Sequence, residues 1–129
     1  METKRILVVD DEARVREMIE FRLRLFGYEV LHAANGSEAL AVASREVPDL
    51  VLLDVMMPEL DGFQVCARLK QEEATRSIPV IMLTAKAEAK DVTRAFNSGA
   101  VDYVVKPYDP AVLQQKVVQN LAGAGGLRS

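Results

Sequence analysis

The sequence predicts an α/β fold in which a five-stranded parallel β-sheet is covered by helices. Short apolar runs alternate five times with segments whose apolar residues recur at helical spacing. Four of these runs end at a single polar residue, namely Asp10, Asp54, Thr84 and Lys106. Uninterrupted apolar runs are typical of strands that a parallel sheet buries on both faces. The 129 residues are enough for one domain.

The first two units each pair a strand with a helix. A strand over 5–10 leads into a helix over 13–26. A second strand over 28–33 carries polar residues and is therefore expected at the sheet edge. The helix over 37–46 follows, with Ser37 as its N-terminal cap. The residues expected to face the core from the first helix are Val15, Ile19, Leu23 and Phe26.

The remaining three units follow the same order. Pro48 and Pro79 precede the strands that end at Asp54 and Thr84, and the last strand ends at Lys106. The helix over about 87–97 is largely polar, so we expect it to be the least firmly packed. The residues expected to face the core from these three helices are Gly62, Val65, Cys66 and Leu69, then Val92, Ala95 and Phe96, then Leu113, Val117 and Leu121.

Composition excludes several classes of protein. The net charge of −3 argues against direct binding of nucleic acid, which needs a clustered basic surface. The single cysteine, Cys66, excludes an internal disulfide. No apolar run approaches the roughly 20 residues that cross a bilayer. We therefore expect a cytoplasmic module without membrane contact, with residues 1–122 as one domain and 123–129 as a flexible glycine-rich tail or the start of a linker.

The polar strand ends predict one site. Open parallel sheets hold ligands at the carboxyl ends of their strands, so Asp10, Asp11, Asp54, Thr84 and Lys106 should converge there. Asp10 and Asp11 alone could be acids favoured at a helix start. A third carboxylate changes the balance, because each pair repels by about 4 kcal/mol at about 4 Å in an effective dielectric of about 20. A Mg²⁺ ion on Asp10, Asp11 and Asp54, with Mn²⁺ as an alternative, would neutralise this charge.

One carboxylate of such a cluster can act as the nucleophile toward a phosphoryl group. We expect Asp54 to take that role, because it ends a central strand and faces the crevice. Lys106 would supply a cation and Thr84 a hydroxyl for the phosphoryl oxygens. Taken singly, Lys106 could be a solvated lysine and Thr84 an ordinary strand-end residue. Their coincidence at strand ends favours the functional interpretation.

These residues lie in motifs that resemble the receiver domain of bacterial two-component response regulators over about residues 4–121. The resemblance implies a flavodoxin-like fold, a doubly wound (βα)5 parallel sheet with strand order 2-1-3-4-5 in a three-layer α/β/α arrangement. It also implies a cis Lys106-Pro107 bond. The motifs are Val9-Asp10-Asp11-Glu12, Leu53-Asp54-Val55-Met56-Met57-Pro58 with Asp61-Gly62, Leu83-Thr84-Ala85, and Gly99-Ala100 through Asp102-Tyr103 to Lys106-Pro107.

The same resemblance implies a phosphoacceptor signalling switch of a phosphorelay. Asp54 would accept a phosphoryl group from a phosphohistidine on a sensor histidine kinase or phosphotransfer protein, and small phosphodonors could also serve. Mg²⁺ would be held by Asp11, Asp54 and the backbone carbonyl of Met56, with Asp10 contributing through water. The domain would catalyse only its own phosphotransfer and slow autodephosphorylation.

The resemblance further implies how the signal leaves the site. Thr84 would move to the phosphoryl oxygens and Tyr103 would turn inward, although Tyr103 taken alone could be simple edge packing. The face formed by the fourth helix, last strand and last helix would then change shape for an output domain, a downstream protein or a phosphorylation-linked homodimer. Lys90, Arg94 and Asp102 are candidates for salt bridges across such a dimer.

Three other interpretations stay open from the residues. A phosphatase of the haloacid-dehalogenase type would need an aspartate two residues after the nucleophile, where this chain has Met56. A flavodoxin-type binder of FMN would need a Ser/Thr-rich phosphate loop after the first strand, which is missing. A receiver-like domain that is never phosphorylated is opposed by the intact acidic set. The glycines near the chain end have no strand before them and do not form a dinucleotide site.

Overall fold

The computed structural model describes residues 3–85 and 89–125, in which five strands and five helices alternate. The strands are β1 Arg5–Val9, β2 Glu29–Ala33, β3 Leu50–Asp54, β4 Val80–Thr84 and β5 Asp102–Val105. The helices are α1 Ala13–Leu25, α2 Gly36–Glu46, α3 Gly62–Gln71, α4 Ala89–Asn97 and α5 Pro110–Gly125.

The strands form one parallel sheet in the order β2-β1-β3-β4-β5, which confirms the predicted fold and places β2 at an edge. The register places Val9 opposite Leu53 and Asp54 opposite Leu83. Asp10 is the residue after Val9, and Thr84 is the residue after Leu83. The side chains that follow the apolar runs therefore emerge at one edge of the sheet.

Two apolar layers flank the sheet. One lies between the sheet and α2, α3 and α4, and the other between the sheet and α1 and α5. The central strands β3 and β4 are buried along their whole length, as continuous apolar runs require. The predicted inward residues that are buried are Ile19 and Leu23 of α1, Gly62, Val65, Cys66 and Leu69 of α3, Ala95 of α4, and Leu113, Val117 and Leu121 of α5.

Two aromatic residues predicted to face the core are exposed instead, so those predictions are wrong. Phe26 is 52% exposed because α1 ends one residue earlier and Gly27, at φ +90°, turns the chain away. Phe96 is 45% exposed and packs edge-on against the ring of Tyr103, with ring centroids 6.1 Å apart. Helical spacing identified a face in both cases, but the neighbouring elements decide whether that face is covered.

The ends of two helices differ from the prediction. The cap of α2 is Asn35, whose side chain accepts a hydrogen bond from the Glu38 amide at 2.8 Å, so the prediction of Ser37 is wrong. Helix α5 continues through Gly125, beyond the predicted change to linker composition. The domain boundary at residue 122 stays a prediction, since residues 126–129 lie outside the described part of the chain. The predicted start of the fourth helix near residue 87 also lies outside it.

Within the described ranges, none of the helices combines the length and the apolar character that a bilayer crossing requires.

Candidate functional site

Three carboxylates meet at the carboxyl edge of the sheet. Asp10 follows β1 and Asp54 ends β3, and both are buried, with 0% and 2% of their surface exposed. Asp11 is exposed at the mouth of the site. One carboxylate oxygen from each residue lies within 4.8 Å of the others, an arrangement that could hold a metal ion. The structure therefore brings together the acidic residues that the strand ends predicted.

Lys106 links the two buried carboxylates. Its Nζ donates to Asp54 Oδ1 at 3.1 Å and to Asp10 Oδ2 at 3.3 Å. Lys106 follows β5, at the far edge of the sheet from β2, and its backbone amide donates to the Thr84 carbonyl at 2.7 Å. One ammonium thus faces two carboxylates, and a negative charge remains in the site.

The pKa values of Asp54 and Lys106 are both raised, and burial and the neighbouring charges explain why. Burial raises the pKa of Asp54, and the nearby charge of Asp10 raises it further; the ammonium of Lys106 and the Met56 amide offset only part of this. Burial by itself would lower the pKa of Lys106, but the two carboxylates together outweigh it and raise that pKa. The site is therefore short of positive charge, which a divalent cation would supply.

Backbone groups fix the orientation of both buried carboxylates. Met56 N–H donates to Asp54 Oδ1 at 3.2 Å, and Glu12 N–H donates to Asp10 Oδ1 at 2.9 Å. Arg16 Nη1 donates to the Asp10 carbonyl at 2.6 Å, which ties α1 to the end of β1. Both hydrogen bonds that the described residues donate to Asp54 fall on Oδ1. Among the described residues, no hydrogen bond to its other oxygen, Oδ2, is present.

Gly62 packs closely against the backbone of Asp54 and Val55. A Cβ at this position would lie 2.5 Å from the Asp54 carbonyl oxygen and 2.8 Å from Val55 Cα. Gly62 N–H donates to the Val55 carbonyl at 3.0 Å. The capping box of α3, formed by Asp61 and Gln64, starts the helix at this contact. Only glycine allows α3 to begin this close to the strand end.

Thr84 and Tyr103 lie on the side of the site that faces α4. Thr84 ends β4 and is 8% exposed. Tyr103 lies on β5 opposite Met82, two residues before Thr84 in the neighbouring strand. Both residues line a small cavity beneath α4. The structure thus places the two predicted switch residues around one cavity.

The sequence analysis missed three residues near this site. Arg16 holds the Asp10 carbonyl, as described above. The Tyr108 hydroxyl is buried without a hydrogen-bond partner among the described residues, and burial together with the charges of Asp10 and Asp54 raises its pKa. The position of Tyr108 directly after Lys106-Pro107 was a usable signal. Asp91 also has a buried carboxylate oxygen to which no described residue donates, and nothing in its local sequence indicates this.

Two of the candidate dimer residues are engaged within the chain. Asp102 pairs with Lys116 at 2.7 Å, and the Arg94 guanidinium stacks 4.2 Å from the centroid of the Phe63 ring. The Lys106-Pro107 bond is cis, which confirms that expectation.

Comparisons with known proteins agree with this geometry. The chain is 51% identical over 114 residues to "Probable transcriptional regulator ycf27" of Pyropia yezoensis, covering 88% of this chain and 46% of that protein. It is 46% identical over 124 residues to the phosphate regulon transcriptional regulatory protein PhoB of Pseudomonas aeruginosa, covering 95% of this chain and 54% of that protein. The chain thus spans about half the length of these curated relatives.

A solved structure shows the same fold. The signal receiver domain of a signal transduction histidine kinase from Syntrophus aciditrophicus superposes with a TM-score of 0.89 at 38% identity, covering 98% of this chain and 96% of that one. The family profile described as the response regulator receiver domain matches residues 6–118. This chain therefore belongs to the receiver domains of two-component response regulators.

Proposed function

We propose that this receiver domain is a phosphoacceptor switch and that Asp54 is the residue that becomes phosphorylated. The observation that carries the proposal is the environment of Asp54. It is 2% exposed, its Oδ1 is bonded to Lys106 at 3.1 Å, and an oxygen of each of Asp10 and Asp11 lies within 4.8 Å of it. This combination holds a nucleophilic carboxylate in place beside groups that can stabilise a phosphoryl group.

The reaction we propose starts from a phosphohistidine on a sensor histidine kinase or phosphotransfer protein. Asp54 Oδ2 attacks the phosphorus atom, the P–N bond breaks, and the imidazole leaves with the bonding electron pair. The product is an acyl phosphate on Asp54. Lys106, already within hydrogen-bond distance of Asp54, balances charge on the phosphoryl oxygens, and the Thr84 hydroxyl donates to one of them.

The donor set fits a hard divalent cation. Asp10 and Asp11 offer carboxylate oxygens, Asp54 offers a third, and the ammonium of Lys106 balances only part of this negative charge. We propose that Asp11, Asp54 and the backbone carbonyl of Met56 hold Mg²⁺, with Asp10 acting through water; Mn²⁺ has the same preference for oxygen ligands. When bound, the cation supplies positive charge to the oxygens of the transferred group.

The output would leave through the face formed by α4, β5 and α5. Exposed apolar side chains lie along these elements, and a partner could bury them. We propose that an output domain or a downstream protein, or a second copy of this chain after phosphorylation, binds this face. The exposed apolar residues are Phe96 of α4, Val101 and Val105 at β5, and Val112 and Val118 of α5.

We also propose that the domain acts as a signalling element and turns over no metabolite. A phosphatase that works through an aspartyl phosphate needs an acid and base beside the nucleophile. The residue two positions after Asp54 is Met56, whose thioether cannot transfer a proton, and its side chain is 70% exposed. Phosphate esters should therefore not be hydrolysed catalytically.

Mass spectrometry after incubation with acetyl phosphate and Mg²⁺ tests the proposal. We expect the gain of one phosphoryl group, which Asp54→Ala and chelation of the metal each abolish. Glu73→Gln is the matched control, because it removes an exposed carboxylate on the loop after α3 and should leave uptake unchanged. Uptake that persists in Asp54→Ala, or no uptake by the wild-type domain, would contradict the proposal.

A further inference from the structure

Asp91 of α4 has one carboxylate oxygen in an unusual environment. Its Oδ2 is buried and has no hydrogen-bond partner in the described part of the chain. Among the residues that the structure describes, the Tyr108 hydroxyl is the other side-chain oxygen of this kind. Buried acceptors are nearly always satisfied, and a carboxylate oxygen is costly to leave unpaired. An exception of this kind requires a physical explanation.

The surroundings of Asp91 indicate what could satisfy it. Asp91 lines a small cavity of about 10 Å³ between α4 and the sheet. Thr84 and Tyr103 are the other two polar residues around that cavity, and the remaining lining is apolar. A space of this size holds about one water molecule. Arg94, three residues further along α4, stacks on the ring of Phe63.

Asp91, whose Oδ2 can accept a hydrogen bond, and Tyr103, whose hydroxyl can donate one, therefore border the same cavity. Tyr103 carries a hydroxyl at the end of a ring that is only partly buried and packs edge-on against Phe96. Thr84 and Asp91 both line this cavity and also a larger one of about 460 Å³. If Thr84 moves toward a phosphoryl group, it leaves space for the ring of Tyr103 in the cavity that Asp91 lines.

We propose that Asp91 accepts the hydrogen bond of the Tyr103 hydroxyl in the phosphorylated state and so holds the switch in its active arrangement. This inference rests on the proposed function, because the movement of Thr84 follows phosphorylation of Asp54. Before phosphorylation, none of the described side chains or backbone amides donates to this Asp91 oxygen, and in the phosphorylated state the Tyr103 hydroxyl does. A group that is satisfied in one state only shifts the equilibrium toward that state. Asp91 is thus a positioning residue that acts through Tyr103.

The test follows the environment of Tyr103 directly. The chain contains three tyrosines, so incorporation of 3-fluorotyrosine gives three ¹⁹F resonances, and Tyr103→Phe assigns the one of interest. The ratio of inward to outward ring is measured with acetyl phosphate and Mg²⁺, while mass spectrometry reports phosphoryl uptake on the same samples. Thr93→Ala, an exposed change on the same helix, is the matched control.

We expect Asp91→Ala to lower the inward-to-outward ratio by about tenfold, the effect of losing one hydrogen bond to a charged group, while uptake stays complete. Asp91→Asn keeps an acceptor oxygen without the charge and should lower the ratio by about threefold. It also decides the matter if Asp91→Ala does not fold. A wild-type ratio in the fully phosphorylated Asp91 variants would overturn this inference and leave the proposed function standing. No uptake by the wild-type domain would overturn both.

Discussion

Replacing Asp54 by asparagine should stabilise the metal-free domain, although it removes the proposed phosphoacceptor. At an effective dielectric of about 20, the ammonium of Lys106 at 3.1 Å attracts the carboxylate by about 5 kcal/mol, and Asp10 within 4.8 Å repels it by about 3.5 kcal/mol. Taking the charge out of water costs several kcal/mol more. The sum is unfavourable, so Asp54→Asn should raise the free energy of unfolding by about 1 kcal/mol.

The pH dependence has a definite sign. Burial and the charge of Asp10 raise the pKa of Asp54 in the folded state, so the folded protein holds this proton more tightly than the unfolded chain. The free-energy cost of burying the Asp54 charge is absent below the unfolded pKa of about 3.9, because the carboxyl group is then protonated. It develops as the pH rises from there through the raised folded pKa, and it is complete above that value. The advantage of Asp54→Asn should therefore grow with pH across that window and then stay constant.

Thermal unfolding followed by circular dichroism measures this effect. At neutral pH in a chelator, we expect Asp54→Asn to unfold about 3–5 °C higher than the wild type. Mg²⁺ should stabilise the wild type more than the variant and so narrow the difference. Glu73→Gln, at an exposed carboxylate, should change neither value. A variant that is less stable than the wild type in the chelator would refute the reasoning, because the bond to Lys106 would then outweigh burial and repulsion.

Three further predictions concern the same site. Asp11→Asn should weaken Mg²⁺ binding by about tenfold or more in calorimetric titration, since it removes a charged ligand, and an unchanged titration would exclude Asp11 from the metal site. Lys106→Met should slow phosphoryl uptake by about 10²-fold without weakening Mg²⁺ binding, because the ammonium stabilises the phosphoryl oxygens but repels the cation; weaker metal binding would contradict this. Gly62→Ala should lower the free energy of unfolding by about 1–3 kcal/mol in a denaturant titration, since its Cβ would lie 2.5 Å from the Asp54 carbonyl oxygen, and unchanged stability would show that the contact relaxes.

The strand ends of the candidate site were predictable because the spacing of apolar residues and the position of polar ones are local properties of the sequence. An apolar run that ends at Asp54 or Thr84 identifies both the strand and the edge where the side chain emerges. The cap of α2 was less predictable, because Asn35 and Ser37 are both good cap residues. Close packing decided it: Gly36 lies against Leu60, where a Cβ would be 2.7 Å from Leu60 Cβ.

Burial of single side chains was the least predictable property. Phe26 and Phe96 have the spacing of inward residues, yet about half of each side chain is exposed. Asp91 looks like a solvated residue of a polar helix, yet one of its oxygens is buried against the sheet. In each case the outcome depends on elements far away in the chain, which local periodicity does not report.

The sequence by itself determined the alternation of strands and helices, the parallel sheet and the gathering of Asp10, Asp11 and Asp54 at one edge, because parallel strands that end in polar residues must present them together. Only the tertiary structure decided which atoms interact there. The Lys106 ammonium reaches carboxylates 52 and 96 residues earlier in the chain, and it shares Asp54 Oδ1 with the backbone amide of Met56. The physical reason is that a hydrogen bond is made or lost when the donor–acceptor distance changes by a few tenths of an ångström. Packing sets that distance, and the order of residues in the chain does not.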